Sequence, residues 1–251
     1  MIGCDNDVYG NENDVLGSVN DVLGSENLLS GHYNEVDGHY NTLIGSVNTV
    51  DGSANDVIGN YNELLGSYNT VAGDGNQLEG HVNTVCGDLN TIDDGNFNII
   101  GGNQNVINDG DYNGILGNAN YVEGSGNLAQ GDLNTIVGDT NLVGGDCNLV
   151  AGDDNALSGS GNTLVGDENE LIGNCNNVNG NENDIVGSVN TVQGDSNDIA
   201  GSLNTVVGDE NDVLGGCNTV IGEGNNAYGD LNNILGNDNT ASGVDNTQIG
   251  D

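Results

Sequence analysis

A repeat of seven residues, G-x-x-N-x-Φ-x with Φ aliphatic, runs through almost the whole chain. Thirty-five copies follow one another between Gly3 and Gly250, each with Gly in the first place and Asn in the fourth. The sixth place is aliphatic in every copy except the last, which has Gln248 there. A short period sustained in this way is typical of solenoids, in which each repeat packs only against its neighbours.

Seven residues are too few to close a coil around a core, and the third place indicates the true period. From Leu133 onward, apolar or small residues alternate there with mainly polar ones, as in the run Cys147, Asp154, Gly161 and Glu168. We therefore predict an all-β fold, a single β-solenoid (β-roll) of 14-residue coils with two heptads per coil. Alternation along each strand should place Asn and Φ inside and their neighbours outside.

The repeat predicts one continuous solenoid over residues 3–250. About 17 coils at the usual strand spacing would give a length of roughly 80 Å. One-residue insertions near residues 93–94 and 108–109 interrupt the period. They fall in adjacent coils, so we expect a one-residue bulge in each, stacked at one corner.

The recurring residues predict two kinds of buried ladder and a tight corner. Stacked aliphatic side chains gain about 25 cal/mol per Å² of apolar area buried. A buried Asn amide can donate to and accept from the Asn of the next coil, as in cross-β stacks. Gly supplies the positive φ or the close backbone approach that a corner needs. Representative members of the Asn ladder are Asn6, Asn48, Asn90, Asn98, Asn113, Asn162, Asn204 and Asn246.

Charge limits the classes of partner and activity. The chain has 39 Asp and Glu residues and no Lys or Arg, for a formal net charge of −39. Nucleic acid and anionic lipid need basic surface, so neither is an expected partner. The apolar runs are too short to enter a membrane, and no signal peptide is visible at the start. No catalytic constellation is visible either, so the chain is not expected to be an enzyme.

The repeat resembles those of two known families. Residues 45–51 (GSVNTVD) and 187–193 (GSVNTVQ) are similar to the xxNxVxG repeats of grass ice-recrystallisation-inhibition proteins. That resemblance implies a left-handed β-roll that binds ice on one flat face. The head repeats of trimeric autotransporter adhesins are also similar, with Ser or Ala more usual where this chain has Asn.

One outward surface beyond residue 133 is a stripe of Thr and aliphatic residues. It could order water as an ice-binding face, pack against a copy of itself, or reflect only the β-propensity of Thr. Its candidate residues are Thr135, Val137, Thr163, Val165, Thr191, Thr205, Val207, Thr219, Ile221 and Thr247. The corresponding places at the start of the chain hold Asp7, Asp21 and Glu35, which interrupt the stripe.

A second outward surface carries carboxylates at successive coils, namely Glu170, Asp184, Asp198 and Asp212. Like charges about 5 Å apart repel one another. The row is either a solvated acidic face or a place where calcium or another divalent cation relieves the repulsion. No other cofactor is expected.

The cysteines do not predict a disulfide framework. Cys147, Cys175 and Cys217 share one ladder but lie two and three coils apart, about 10 and 14 Å at the strand spacing, too far for a disulfide. We expect small buried or half-buried thiols, or an intermolecular disulfide through Cys4 in the first coil. The three His residues all occupy the turn-like second place.

Three functions follow as hypotheses. The leading one is a self-assembling structural protein, such as a sheath or surface layer, which associates with itself end to end and laterally because no capping element of a different kind covers the repeat. The alternative is an ice-binding protein whose partner is an ice surface. The third is an adhesin head or stalk. All three place the protein outside the cell or at its surface.

Overall fold

A computed structural model describes residues 1–250, and all regular structure in that range consists of β-strands of three residues. The all-β prediction is therefore confirmed. The chain divides into two compact units, Met1–Gly126 and Asn127–Asp251. The single continuous solenoid over residues 3–250 stays a prediction.

The first unit holds seventeen strands. They are β1 (Asp7–Tyr9), β2 (Asp14–Leu16), β3 (Asp21–Leu23), β4 (Leu28–Ser30), β5 (Glu35–Asp37), β6 (Thr42–Ile44), β7 (Thr49–Asp51), β8 (Asp56–Ile58), β9 (Glu63–Leu65), β10 (Thr70–Ala72), β11 (Gln77–Glu79), β12 (Thr84–Cys86), β13 (Thr91–Asp93), β14 (Ile99–Gly101), β15 (Val106–Asn108), β16 (Gly114–Leu116) and β17 (Tyr121–Glu123).

The second unit holds eighteen strands up to residue 250. They are β18 (Leu128–Gln130), β19 (Thr135–Val137), β20 (Leu142–Gly144), β21 (Leu149–Ala151), β22 (Ala156–Ser158), β23 (Thr163–Val165), β24 (Glu170–Ile172), β25 (Asn177–Asn179), β26 (Asp184–Val186), β27 (Thr191–Gln193), β28 (Asp198–Ala200), β29 (Thr205–Val207), β30 (Asp212–Leu214), β31 (Thr219–Ile221), β32 (Asn226–Tyr228), β33 (Asn233–Leu235), β34 (Thr240–Ser242) and β35 (Thr247–Ile249).

Each unit is built of two parallel sheets, one of odd-numbered and one of even-numbered strands. In the first unit, Val8 of β1 pairs with Val22 of β3, fourteen residues on. In the second, Leu157 of β22 pairs with Leu171 of β24 at the same separation. The predicted coil of two heptads is therefore confirmed.

The middle residue of each strand forms the core. It is buried in every strand except the first and last, and Leu157, Leu164 and Leu171 are at most 2% exposed. The flanking strand residues point outward, as period-2 alternation requires. Asn lies just before each strand rather than inside it, so a strand is x-Φ-x and not N-x-Φ-x.

Both reasons expected for Gly in the first place apply. Gly159 has φ of +144°, and a Cβ built on it would lie 1.7 Å from the carbonyl oxygen of Gly173 in the next coil. Backbone stacked this closely leaves no room for a side chain.

The third place also has positive φ, which the repeat pattern did not predict. Val189, Leu203 and Thr140 have φ of 61°, 64° and 61°. Branched residues rarely adopt this conformation, so the coil imposes it on them. Their amides continue the stacking around the turn, since Val189 N–H donates to the carbonyl of Asn174 in the preceding coil (2.9 Å).

The two insertions follow β13 and β15. The extra residues Asp94 and Asp109 have φ of 50° and 51°, and Asp109 N–H donates to the carbonyl of Asp93 (2.9 Å). In the turns that follow, the rings of Phe97 and Tyr112 stack with centroids 4.9 Å apart. The inserted residues therefore enlarge one turn and leave the strands paired.

Candidate functional site

The Asn side chains form an internal hydrogen-bonded ladder. Asn162 Nδ2 donates to Asn148 Oδ1 (3.0 Å) and to the carbonyl of Gly173 (2.9 Å). Its Oδ1 accepts from the backbone N–H and the Nδ2 of Asn176 (2.9 and 3.1 Å). The pattern predicted the bonds between amides but not those to Gly and to the backbone. Of the eight representative residues, all are buried except the half-buried Asn6 and Asn246.

The second place forms another ladder, at the turns. Its side chain accepts the backbone N–H of the second-place residue in the preceding coil, as when Ser160 N–H donates to Asn174 Oδ1 (2.8 Å). The three histidines take the same role. His32, His39 and His81 each accept at Nδ1, from Ser18, Ser25 and Ser67, at 3.0 Å. Their recurrence in one place was the signal for this role.

The outward side chains of the odd-numbered strands from β19 to β35 form a surface that we call the odd face of the second unit. None of its eighteen residues is charged. Thr191, Thr205 and Thr219 lie directly opposite one another in β27, β29 and β31, and Val207 lies beside Ile221 in the adjoining row. The predicted stripe is thus brought together as two straight rows.

The outward side chains of the even-numbered strands from β18 to β34 form the even face of the second unit. Its four carboxylates, Glu170, Asp184, Asp198 and Asp212, occupy one row in register. Partial burial and the neighbouring charges of Asp184 and Asp212 raise the pKa of Asp198 above its usual range. Tyr228 O–H donates to Asp212 Oδ2 (2.7 Å), and this bond raises the pKa of Tyr228.

The acidic row does not form a metal site in this geometry. Across residues 1–250, no group of three or more His, Cys, Asp or Glu side chains is placed to hold a metal ion. Relief of the repulsion by calcium or another divalent cation stays a prediction.

In the first unit, most of the outward carboxylates of the strands lie on the odd-numbered strands. The outward positions of the odd-numbered strands from β1 to β17, which we call the odd face of the first unit, include nine carboxylates: Asp7, Asp21, Glu35, Asp37, Asp51, Glu63, Glu79, Asp93 and Glu123. The sixteen outward positions of the even-numbered strands from β2 to β16, the even face of the first unit, include only two carboxylates, Asp14 and Asp56. The remainder of that face is uncharged, with Thr42, Thr70 and Thr84 in one row.

Sequence reasoning missed this even face because it followed the Thr and aliphatic stripe through odd repeats alone. The signal was present in the fifth and seventh places of even repeats between residues 28 and 116. Each unit therefore has one charge-poor face and one face with a larger share of carboxylates.

All five cysteines are free and exposed, so the prediction of buried or half-buried thiols was wrong. Cys147, Cys175 and Cys217 occupy the third place, which the positive φ turns toward solvent. Cys4 is exposed in the first coil, and its intermolecular disulfide stays a prediction.

No helix in the described part of the chain is long and apolar enough to cross a membrane.

Coils of two heptads, parallel sheets, Asn ladders and a charge-poor Thr and aliphatic face define the molecule as a parallel β-roll. The family model of the grass antifreeze β-roll matches residues 1–80 and 76–166. Since these matches cover more than half of the chain, the protein belongs to the grass antifreeze β-roll family. None of the curated proteins compared with the chain matches it.

Proposed function

We propose that the protein binds ice through the odd face of the second unit and thereby restrains ice crystal growth. The observation that carries this proposal is the lack of charge on that face. Asp and Glu make up 16% of the chain, so eighteen positions would hold about three by chance, and more if exposed positions were favoured. They hold none.

The exclusion of carboxylates has a physical reason on an ice-binding surface. A carboxylate holds its own hydration shell, and removing that shell is costly. Thr offers a methyl group and a hydroxyl group that can both donate and accept. Over the consecutive strands that carry Thr191, Thr205 and Thr219, these groups repeat about every 4.8 Å, a regular array that can hold water in a fixed lattice.

The family supports the same function. The model that matches is that of an antifreeze β-roll, and its matched residues include β19, β21 and β23 of this face. This match favours ice binding over the self-assembling structural protein that the repeat alone favoured. Action outside the cell or at its surface is part of the proposal, since ice is met there.

The test is a bulky substitution within the Thr row. We expect the native protein to inhibit ice recrystallisation, and Thr205→Tyr to raise the concentration required several-fold, because the ring protrudes from a flat surface. Thr240→Tyr makes the same change in the fifth place of the even face of this unit and should have little effect. Circular dichroism should show both variants folded.

A native protein that neither inhibits recrystallisation nor shapes ice crystals would overturn the proposal. Self-association is the second candidate, and exposed apolar side chains such as Val165 and Ile221, each 41% exposed, favour it. In that case Thr205→Tyr should dissociate an oligomer seen by sedimentation velocity.

A further inference from the structure

We infer that the even face of the first unit is a second ice-binding surface. This inference rests on the proposed function and extends it to a separate set of residues. The residues that argue for this second surface all lie in the first unit, separate from the Thr and aliphatic stripe beyond residue 133.

The distribution of charge within the first unit is the main argument. Both of its sheets have the same strand length, the same coil and the same buried ladders. Carboxylates nevertheless occupy nine of eighteen outward positions on the odd strands and two of sixteen on the even strands. Since the fold places equal demands on both sheets, the difference reflects what each face meets.

Asp56 interrupts one row of the even face, but the even-numbered strands from β10 to β16 lie in register and hold no charged outward residue, as ice binding needs. Thr70 lies opposite Thr84 in one row, and Ile58 lies opposite Ala72 in the other. The inserted residues lie in the turns after β13 and β15. The even strands stay in register past them, since Val85 pairs with Ile100 and Ile100 with Ile115.

The family match adds an independent argument for ice as the occupant. The matched residues, 1–80 and 76–166, include the whole of the first unit but only the first strands of the second. Within the first unit, the even face is the one with the composition of an ice-binding surface.

The experiment compares four variants of the full chain. Thr70→Tyr alters the even face of the first unit, Thr205→Tyr alters the odd face of the second, and a double variant alters both. Thr49→Tyr is the matched control, because Thr49 holds the same place in the first unit but lies between Glu35 and Glu63 on its odd face. Recrystallisation inhibition is measured against concentration, and circular dichroism verifies folding.

We expect Thr70→Tyr and Thr205→Tyr each to raise the inhibitory concentration several-fold. The double variant should require at least ten times the concentration of either single variant, or lose inhibition altogether. Thr49→Tyr should match the native protein. If Thr205→Tyr weakens inhibition while Thr70→Tyr does not, the inference is overturned and the proposed function stands. If Thr70→Tyr weakens inhibition while Thr205→Tyr does not, ice binds only to the even face of the first unit. That result would overturn the proposed site on the second unit, and with it the inference of two ice-binding faces.

Two further outcomes would overturn the inference. A native protein without effect on ice would overturn it together with the proposed function. A native oligomer that Thr70→Tyr converts to monomer, with ice activity unchanged, would instead make the even face an interface between copies of the chain.

Discussion

At the scale of the residue, Asn is the only side chain that meets every demand of the fourth place. An amide has two donors and an acceptor oxygen with two lone pairs. Asn162 uses both donors, on Asn148 Oδ1 and the carbonyl of Gly173, and its oxygen accepts two bonds from Asn176. Asp would lack the donors, and Gln would carry the amide too far. This full use of the amide explains its recurrence in every repeat.

Replacing Asn162 with Leu should therefore be costly. The substitution leaves the carbonyl of Gly173 and the backbone N–H of Asn176 without the side-chain partner that Asn162 supplies, and it removes one bond each from Asn148 Oδ1 and Asn176 Nδ2. We therefore expect a loss of about 2–5 kcal/mol in the free energy of unfolding. Thr163→Ser, on the adjacent outward residue, should cost less than about 0.5–1 kcal/mol. Urea unfolding measures both, and equal costs would show that the inside and outside assignment is wrong.

At the scale of the element, a strand is three residues long and gains its stability from stacking. One residue is buried, and two side chains join rows that run across coils. A row of Thr or Val packs well, whereas a row of carboxylates brings like charges together. On the even face of the second unit, partial burial and then the charges of Asp184 and Asp212 on either side raise the pKa of Asp198.

The raised pKa predicts the sign of a pH effect. Between the unfolded and the folded pKa, the folded protein binds more protons, so this carboxyl reduces stability as pH rises through that window. Asp198→Asn should raise the melting temperature at neutral pH, and the gain should vanish well below pH 4, where Asp198 is protonated in both states.

The control is Asp56→Asn on the even face of the first unit. Asp56 holds the same place in its strand, but Thr42 and Thr70 lie opposite it. Its substitution should give a smaller change in melting temperature at neutral pH. A gain as large as that of Asp198→Asn would indicate that net charge, and not the row, is responsible.

At the scale of the whole molecule, the charge of −39 is unbalanced by any Lys or Arg. The N-terminal ammonium lies 3.9 Å from Asp14, on an exposed surface where such a pair contributes little. Copies of the chain therefore repel one another at low ionic strength. This repulsion opposes association between the charge-poor faces of different copies.

Self-association should accordingly depend on screening. Sedimentation velocity at neutral pH and low salt is expected to show a monomer, with any end-to-end or lateral assembly requiring calcium or a pH near 4, close to the isoelectric point of about 4.1. Oligomers at neutral pH and low salt would contradict this expectation and favour the structural-protein hypothesis.

The spacing of the repeat was enough to predict the coil, the interior and the family resemblance. Gly, Asn and Φ at fixed places sufficed, because a strand alternates with period two and a stacked coil must repeat its corners. The sequence also revealed the Thr and aliphatic stripe that contains Thr205, because its residues recur every fourteen positions.

The conformation of the turns and the contacts between coils could not be predicted from the repeat and became visible in the folded chain. Val189 and Leu203 have no preference for positive φ, so their residue type did not predict a turn that exposes the third place, and with it Cys175. The bond from Asn162 to Gly173 and the acceptor role of His81 also join different coils. These features depend on which backbone atoms come within hydrogen-bonding distance once the coils stack. The order of residues in the repeat does not specify those distances between coils.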